Sequence, residues 1–110
     1  MSVVKQAETV HVQIAPGRTR YLAYSDNLMI TVIDFRDGPT DKPDEPHSHP
    51  HEQVTYVVAG EVLFFLGDDA TRLAAGDMVT IPSNVPHSVQ LLTDHVRMVD
   101  AFTPIRNEFL

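Results

Sequence analysis

The sequence of 110 residues contains no cysteine. This absence excludes a disulfide framework and any metal site built on thiolates. A metal ion bound by this chain must take nitrogen and oxygen ligands from histidine, carboxylate or amide side chains. Hydrophobic residues make up 43% of the chain, which is typical of a globular protein. At this length we expect residues 1–110 to form a single domain with one core.

Long apolar runs are also missing. The longest candidate, VTYVVAGEVLFFLG, is interrupted by Gly60 and Glu61 and is too short to span a bilayer. The first residues, MSVVKQAETVHVQ, contain no continuous apolar segment of the signal-peptide type. We therefore expect a cytoplasmic protein that makes no contact with a membrane.

Basic residues are scarce. The chain has 8 Lys and Arg against 15 Asp and Glu, and its net charge is −7. Because the basic residues form no stripe that would follow a phosphate backbone, nucleic-acid binding is not expected. A small anionic substrate stays compatible with this composition, since a single buried arginine is enough to bind one carboxylate.

Short alternating segments separated by turn residues predict β-strands throughout the chain. Turn signals such as Pro16-Gly17, Ala59-Gly60 and Ala75-Gly76-Asp77 lie between them, and no stretch has a sustained helical period. The pattern predicts one all-β domain, a sandwich or small barrel. The candidate strands are 10–14, 20–25, 28–35, 53–58, 61–66, 78–81, 87–92 and 96–102.

Histidines cluster in the run PDEPHSHPHEQ, where His47, His49 and His51 occupy alternate positions. Residues two apart on a strand face the same side, so His47 and His49 can direct two imidazoles to one point, as a metal site requires. A second segment, GDMVTIPSNVPH, delivers His87 to the start of a strand. Taken alone, the run also fits a solvated histidine-rich loop, and His87 also fits a partly buried strand end.

The two segments together resemble the paired motifs of the cupin family. The first motif, at 47–60, has His47-x-His49, then Gln53 and Gly60, and the second, at 76–91, has Gly76, Pro82, Asn84 and His87. The resemblance implies a double-stranded β-helix, that is, a jelly-roll barrel. It further implies one divalent transition metal (nickel, zinc, iron(II), cobalt or manganese), held by His47, His49, Gln53 and His87.

The motifs depart from the family pattern at a few positions. Asp41 stands where a glycine precedes the first histidine, and Asn84 replaces a turn glycine, a mild change because asparagine tolerates positive φ. Gln53 stands where many cupins have glutamate or histidine. Three neutral imidazoles and an amide leave the full charge on a divalent ion and favour a Lewis-acid role. His51 and Glu52 stay open as rival ligands, and we expect His51 near the ligands or the pocket mouth.

The tail RMVDAFTPIRNEFL predicts a last strand on which Met98, Asp100 and Phe102 share one face. If that face points inward, Asp100, Phe102 and the following Arg106 can form a sugar-acid pocket. By pattern alone, a solvent-facing Asp100 and a core-filling Phe102 fit as well.

This tail and the glutamine-bearing first motif resemble the KdgF family of pectin-degradation cupins. The resemblance implies an enzyme that converts 4,5-unsaturated uronates, released from pectin or alginate by lyases, to linear ketonised sugars. It assigns Asp100, Phe102 and Arg106 to the reactive side of the pocket. The alternatives are a metal-dependent cupin dioxygenase and a non-catalytic cupin that binds a sugar or a metal. Small cupins commonly pair, so a homodimer is expected.

Overall fold

The computed structural model describes residues 2–110 and is built almost entirely from β-strands. Two single-turn 3-10 helices, η1 (Gln6–Glu8) and η2 (Asn107–Phe109), lie at either side of the strand region. No helix in the described part of the chain is long and apolar enough to cross a membrane. The strands are β1 (His11–Ala15), β2 (Arg18–Tyr24), β3 (Met29–Phe35), β4 (Glu52–Ala59), β5 (Glu61–Leu66), β6 (Asp69–Ala74), β7 (Met78–Ile81), β8 (His87–Leu91) and β9 (Val96–Thr103).

The strands form two antiparallel sheets. The larger sheet has the order β1-β2-β3-β9-β4-β7 and the smaller one the order β6-β5-β8. Neighbours that are distant in sequence, such as β3 and β9, pair in register along their whole length. The prediction of an all-β fold is therefore confirmed, and the crossing connections between the sheets are those of a jelly roll.

Strand β6 was missed by the sequence analysis, which placed no strand between residues 67 and 77. Of its residues only Leu73 is buried, and the segment DATRLA lacks the apolar alternation that marks a strand. It becomes a strand because it pairs with β5, with Thr71 opposite Phe64. The conformation of β6 is determined by its pairing at the sheet edge, and that pairing cannot be predicted from the local sequence.

Both sheets contribute to one hydrophobic core. The larger sheet supplies inward-facing residues from β3, β4, β7 and β9, and the smaller sheet supplies them from β5, β6 and β8. Because successive residues of a strand point to opposite faces, each strand contributes alternate residues to this layer. The core residues are Phe35, Val57, Val62, Phe64, Leu73, Ile81, Leu91, Val96 and Met98.

The inner face changes from apolar to polar along the larger sheet. On β9 the buried residues run Val96, Met98, Asp100 and Phe102. Asp100 lies between Thr31 of β3 and Thr55 of β4 in the cross-strand register. One end of the sandwich is therefore filled with apolar side chains. The other end contains buried polar groups that a binding site can use.

Gly60 joins β4 to β5 at a point of close backbone approach. Its φ is +81°, and a Cβ atom there would lie 2.2 Å from the carbonyl oxygen of His95. Gly76 has a similar φ of +98°, but a Cβ there would meet no atom within 4 Å. The two motif glycines thus share a left-handed backbone, and only Gly60 has a neighbour that excludes a side chain.

We predict that Gly60→Ala lowers the free energy of unfolding clearly more than Gly76→Ala. The left-handed backbone alone costs about 1–2 kcal/mol for a residue with a Cβ, and both variants bear that cost. Only Gly60→Ala also forces the His95 carbonyl to move. Denaturant unfolding of the two variants and the wild type measures the difference, and equal losses would contradict the steric explanation.

Candidate metal centre and pocket

The two histidine motifs meet at one backbone bridge. The His47 N–H donates to the His87 carbonyl at 3.0 Å, and the His87 N–H donates to the His47 carbonyl at 2.9 Å. His49 is fixed nearby, because its carbonyl accepts the Asn84 N–H at 2.7 Å. Asn84 takes a φ of 65°, the conformation expected for a residue in place of the turn glycine. As a result, one potential ligand atom each from His47, His49 and His87 lies within 4.8 Å of the others.

Backbone carbonyls determine which nitrogen of two of these rings carries the proton. Nδ1 of His49 lies 3.0 Å from the carbonyl oxygen of His51, and Nδ1 of His87 lies 2.9 Å from that of Val85. A carbonyl only accepts, so each Nδ1 carries the proton and each Nε2 presents a lone pair. Nε2 of His87 is buried and has no hydrogen-bond partner among the described residues. Such an orphaned lone pair fits a metal ligand.

The three histidines are held in their neutral form. Burial is the main cause that lowers the pKa of His49 and of His87. His47 lies at the exposed rim, and desolvation of its ring together with the neighbouring imidazoles of His87 and His49 lowers its pKa as well. Neutral imidazole is the form that binds a metal, so the donor set fits a divalent transition ion.

The side chain of Gln53 connects the histidines to Asp100. Its Oε1 lies 2.9 Å from Nε2 of His49, while its Nε2 donates to Thr55 Oγ1 at 2.9 Å and to Asp100 Oδ1 at 3.1 Å. With the proton of His49 on Nδ1, two lone pairs face each other between Gln53 and His49, and a cation between them removes their repulsion. A glutamate carboxylate could not donate the two hydrogen bonds to Thr55 and Asp100. This explains in structural terms why position 53 is an amide.

His51 and Glu52, the rival ligands, do not join this group. The imidazole of His51 lies beside His49 at 5.4 Å between ring centroids, and its carbonyl orients the His49 ring. Glu52 is exposed. Among the described residues the group that can surround a metal is His47, His49 and His87.

Asp100 points inward and is only 8% exposed. Thr55 Oγ1 donates to its Oδ1 at 2.6 Å, and Thr31 Oγ1 lies 3.5 Å from its Oδ2. Burial raises the pKa of Asp100 because it disfavours the charged carboxylate, although the hydrogen bonds from Thr55 and Gln53 oppose this effect. Oδ1 of Asp100 thus accepts hydrogen bonds from two donors, whereas Oδ2 has only the longer contact with Thr31.

A pocket of about 220 Å³ lies above these residues. His47, His87, Gln53 and Asp100 line it together with Phe102 and Arg106. Phe102 is buried, with its ring edge-to-face against His49 at 5.8 Å between centroids. The structure therefore brings all the residues selected from the sequence to one place.

Two further residues of the pocket were missed by the sequence analysis. Arg20 of β2 and Phe109 of η2 line it, and the Arg20 guanidinium carbon lies 3.8 Å from the centroid of the Phe109 ring. The Arg106 guanidinium carbon lies 4.3 Å from the same centroid. The predicted strand 20–25 began at Arg20, whereas β2 begins at Arg18; the available signal was the alternation of Arg18 and Arg20, which places them on one face of a strand that includes both.

Comparison with known proteins agrees with this architecture. Residues 35–102, which include both histidine motifs, match the model of the cupin domain family. The chain therefore belongs to the cupin family.

Its relatives within that family indicate a narrower group. It is 30% identical to the pectin degradation protein KdgF of Dickeya dadantii (strain 3937) over 105 residues, which cover 94% of this chain and 93% of the relative. The structure of KdgF from a Halomonas species is similar, with 28% identity, a TM-score of 0.89 and coverage of 100% and 99% of the two chains. An RmlC-like cupin from Shewanella frigidimarina NCIMB 400 has 30% identity, a TM-score of 0.86 and coverage of 97% and 94%.

We predict that His87→Ala abolishes metal binding. It removes a buried ligand atom whose tautomer is set by Val85, and two imidazoles bind a divalent ion much more weakly than three. Elemental analysis of the purified variant should find almost no bound ion where the wild type retains about one per chain. His11→Ala, which removes an exposed histidine outside the site, is the matched control and should bind like the wild type. Full occupancy in His87→Ala would remove His87 from the ligand set.

Proposed function

We propose that this protein converts 4,5-unsaturated uronates, the monomers that pectin and alginate lyases release, to linear ketonised sugars. In this proposal His47, His49, Gln53 and His87 hold one divalent transition metal. The similarity to KdgF supports the substrate class. The observation that carries the chemistry is a buried carboxylate, Asp100, joined through the Gln53 amide to a triad of neutral histidines inside one pocket.

The reaction is an isomerisation that needs proton transfer and no oxidant. The substrate is a cyclic enol ether conjugated to a carboxylate. A proton leaves the anomeric hydroxyl, the bond between the anomeric carbon and the ring oxygen breaks, and a proton is added to carbon 4. The products of these steps are an aldehyde and a ketone in one open chain. A metal bound at the triad supplies Lewis-acid stabilisation of the negative charge that develops on oxygen.

Asp100 is the group placed to move these protons. Its Oδ1 is held by Thr55 and Gln53, so the carboxyl group is fixed in orientation, and its Oδ2 has only the longer contact of 3.5 Å with Thr31 Oγ1 and is the atom that we assign to the substrate. Burial raises its pKa toward the range in which a carboxyl group both accepts and donates protons. One residue can thus take the proton of the anomeric hydroxyl and deliver a proton to carbon 4.

Phe102 and Arg106 complete the proposed site. The Arg106 guanidinium carbon lies 5.3 Å from the centroid of the Phe102 ring, so a cation and an apolar surface are adjacent in the pocket. Aromatic rings pack against the apolar faces of sugar rings, and guanidinium groups bind carboxylates. Phe102 thus offers an apolar surface to the sugar ring, and Arg106, whose Nε donates to Glu108, adds positive charge beside it.

We predict that Asp100→Asn lowers the rate of unsaturated uronate consumption by about 10²–10⁴-fold, the usual contribution of a general acid–base group. Asparagine preserves the shape of the buried side chain but cannot exchange a proton. The measurement follows the decay of conjugated-enol absorbance in metal-loaded protein, with substrate freshly produced by a lyase.

Asp94→Asn, at an exposed carboxylate outside the pocket, is the matched control and should retain the wild-type rate. Wild-type decay no faster than in buffer would refute the proposed reaction. Decay that depends on dissolved oxygen would instead support the dioxygenase alternative.

The outer face of the larger sheet supports the homodimer that we also propose. Ile30 is 43% exposed, Val54 45%, Tyr56 41% and Met78 66%. In the register these residues belong to two neighbouring rows, in which Val54 pairs with Ala101 and Tyr56 lies between Val99 and Met78. Monomeric proteins rarely expose a continuous apolar surface of this kind. A second copy of the chain, related by a two-fold axis, would cover this face with its own equivalent face.

We predict that Val54→Asp makes the protein monomeric, because it places a charge in the centre of this face. Thr71→Asp, on the exposed surface of β6 in the smaller sheet, introduces the same charge elsewhere and should leave the dimer intact. Light scattering coupled to size-exclusion chromatography gives the mass of each. A dimeric Val54→Asp variant would show that copies do not meet through this face.

A further inference from the structure

Arg20 lines the same pocket and is half-buried, on a different strand from the other residues of the proposed site. It belongs to β2, and its register partner is Ile33 of β3, which also lines the pocket. The guanidinium is therefore carried by a paired strand of the larger sheet, whereas His87 begins a strand of the smaller sheet. A side chain carried by a strand interior is held more precisely than one on a loop.

The charge of Arg20 is not balanced by an ion pair with any described residue. Its Nε is buried and has no hydrogen-bond partner. The other two pocket arginines differ from it: Arg18 donates to Asp37 at 3.0 Å and to Asp44 at 2.6 Å, and Arg106 donates to Glu108 at 2.8 Å. Burying a charged donor without a partner lowers the stability of the fold. Ligand binding therefore explains the position of this guanidinium better than folding does.

The face and the edge of the Arg20 guanidinium have different roles. Its guanidinium carbon lies over the Phe109 ring, 3.8 Å from the centroid, a contact that orients the group through its face and leaves the N–H donors at its edge for another partner. Burial and the nearby charge of Arg106 lower the pKa of Arg20, and the charge of Glu108 opposes them only in part, so its charged form lacks full compensation in the free protein. An anion supplies that compensation, and a carboxylate matches the fork of parallel N–H donors.

We propose that Arg20 is the residue that selects carboxylated sugars over neutral ones, by binding the carboxylate of the sugar acid. This inference rests on the proposed function and deepens it. Arg106 is a weaker candidate for the same role because its Nε is already engaged by Glu108. Phe109, whose ring contacts both guanidiniums, acts as a positioning residue for both.

The test measures binding of two saturated sugars, which carry no double bond and are not turned over. D-galacturonate and D-galactose differ only in the carboxylate at carbon 6. Calorimetric titration of the metal-loaded wild type should show a preference for galacturonate of about 10- to 100-fold, the range of a charge-assisted bidentate pair. Arg20→Gln should remove most of that preference by weakening galacturonate alone, with galactose binding unchanged. Arg20→Lys, which keeps the charge without the fork, should retain part of it.

Arg72→Gln is the matched control, since it removes an exposed guanidinium that pairs with Glu61 outside the pocket. It should keep the full preference. The proposal is overturned if the wild type shows no preference, if Arg20→Gln retains it, or if Arg20→Gln weakens both sugars equally while remaining folded. Equal weakening of both sugars would show that Arg20 only positions Phe109 and does not bind the carboxylate.

The same experiment separates this inference from the proposed function. Galacturonate preference is measured without turnover, so it can be present in a protein that does not consume unsaturated uronates. If turnover is also found, Arg20→Gln should raise KM for the unsaturated uronate more than it lowers kcat, because the carboxylate is bound in both ground and transition states.

Discussion

The side chain of Gln53 is the interaction on which both halves of the site depend. Its oxygen faces His49 at 2.9 Å, and its nitrogen donates to Asp100 at 3.1 Å and to Thr55 at 2.9 Å. A glutamine amide accepts through its oxygen and donates two N–H groups through its nitrogen, whereas a glutamate carboxylate only accepts. Rotating it by half a turn would lose both hydrogen bonds that its nitrogen donates, to Thr55 and to Asp100. The hydrogen bonds to Asp100 and Thr55 therefore fix which atom faces the histidines.

This coupling is possible because the register of the larger sheet aligns the polar residues in rows. Thr31, Asp100 and Thr55 lie side by side across β3, β9 and β4, and Gln53 is opposite Phe102 in the next row. Cross-strand neighbours are about 5 Å apart, close enough for short side chains to hydrogen-bond directly. The apolar half of β9, with Val96 and Met98, anchors the strand in the core. Packing at one end thus maintains the geometry of a polar network at the other.

Much of the fold and of the site was accessible from the sequence because it depends on strong local signals. Alternating apolar residues marked most of the strands, and histidines two positions apart marked the metal motifs. Strand β6 was not accessible, because its conformation follows from pairing with β5 and only Leu73 is buried. The same limit applies to Arg20. Its position in β2 was predictable, but its distance from Asp100 in sequence hides the fact that β2, β3 and β9 place both residues in one pocket.

The chain is acidic overall, whereas its pocket contains one guanidinium without an ion-pair partner among the described residues, and this contrast determines how an anion can be recognised. The chain carries −7 overall, which disfavours the approach of a negatively charged sugar. At physiological ionic strength that repulsion is screened beyond about 8 Å. Inside the pocket, however, Arg20 has no ion-pair partner among residues 2–110, and burial strengthens its interaction with any anion that enters. Selection of a carboxylate therefore has to arise within the pocket, from groups whose orientation Phe109 and strand β2 fix in advance.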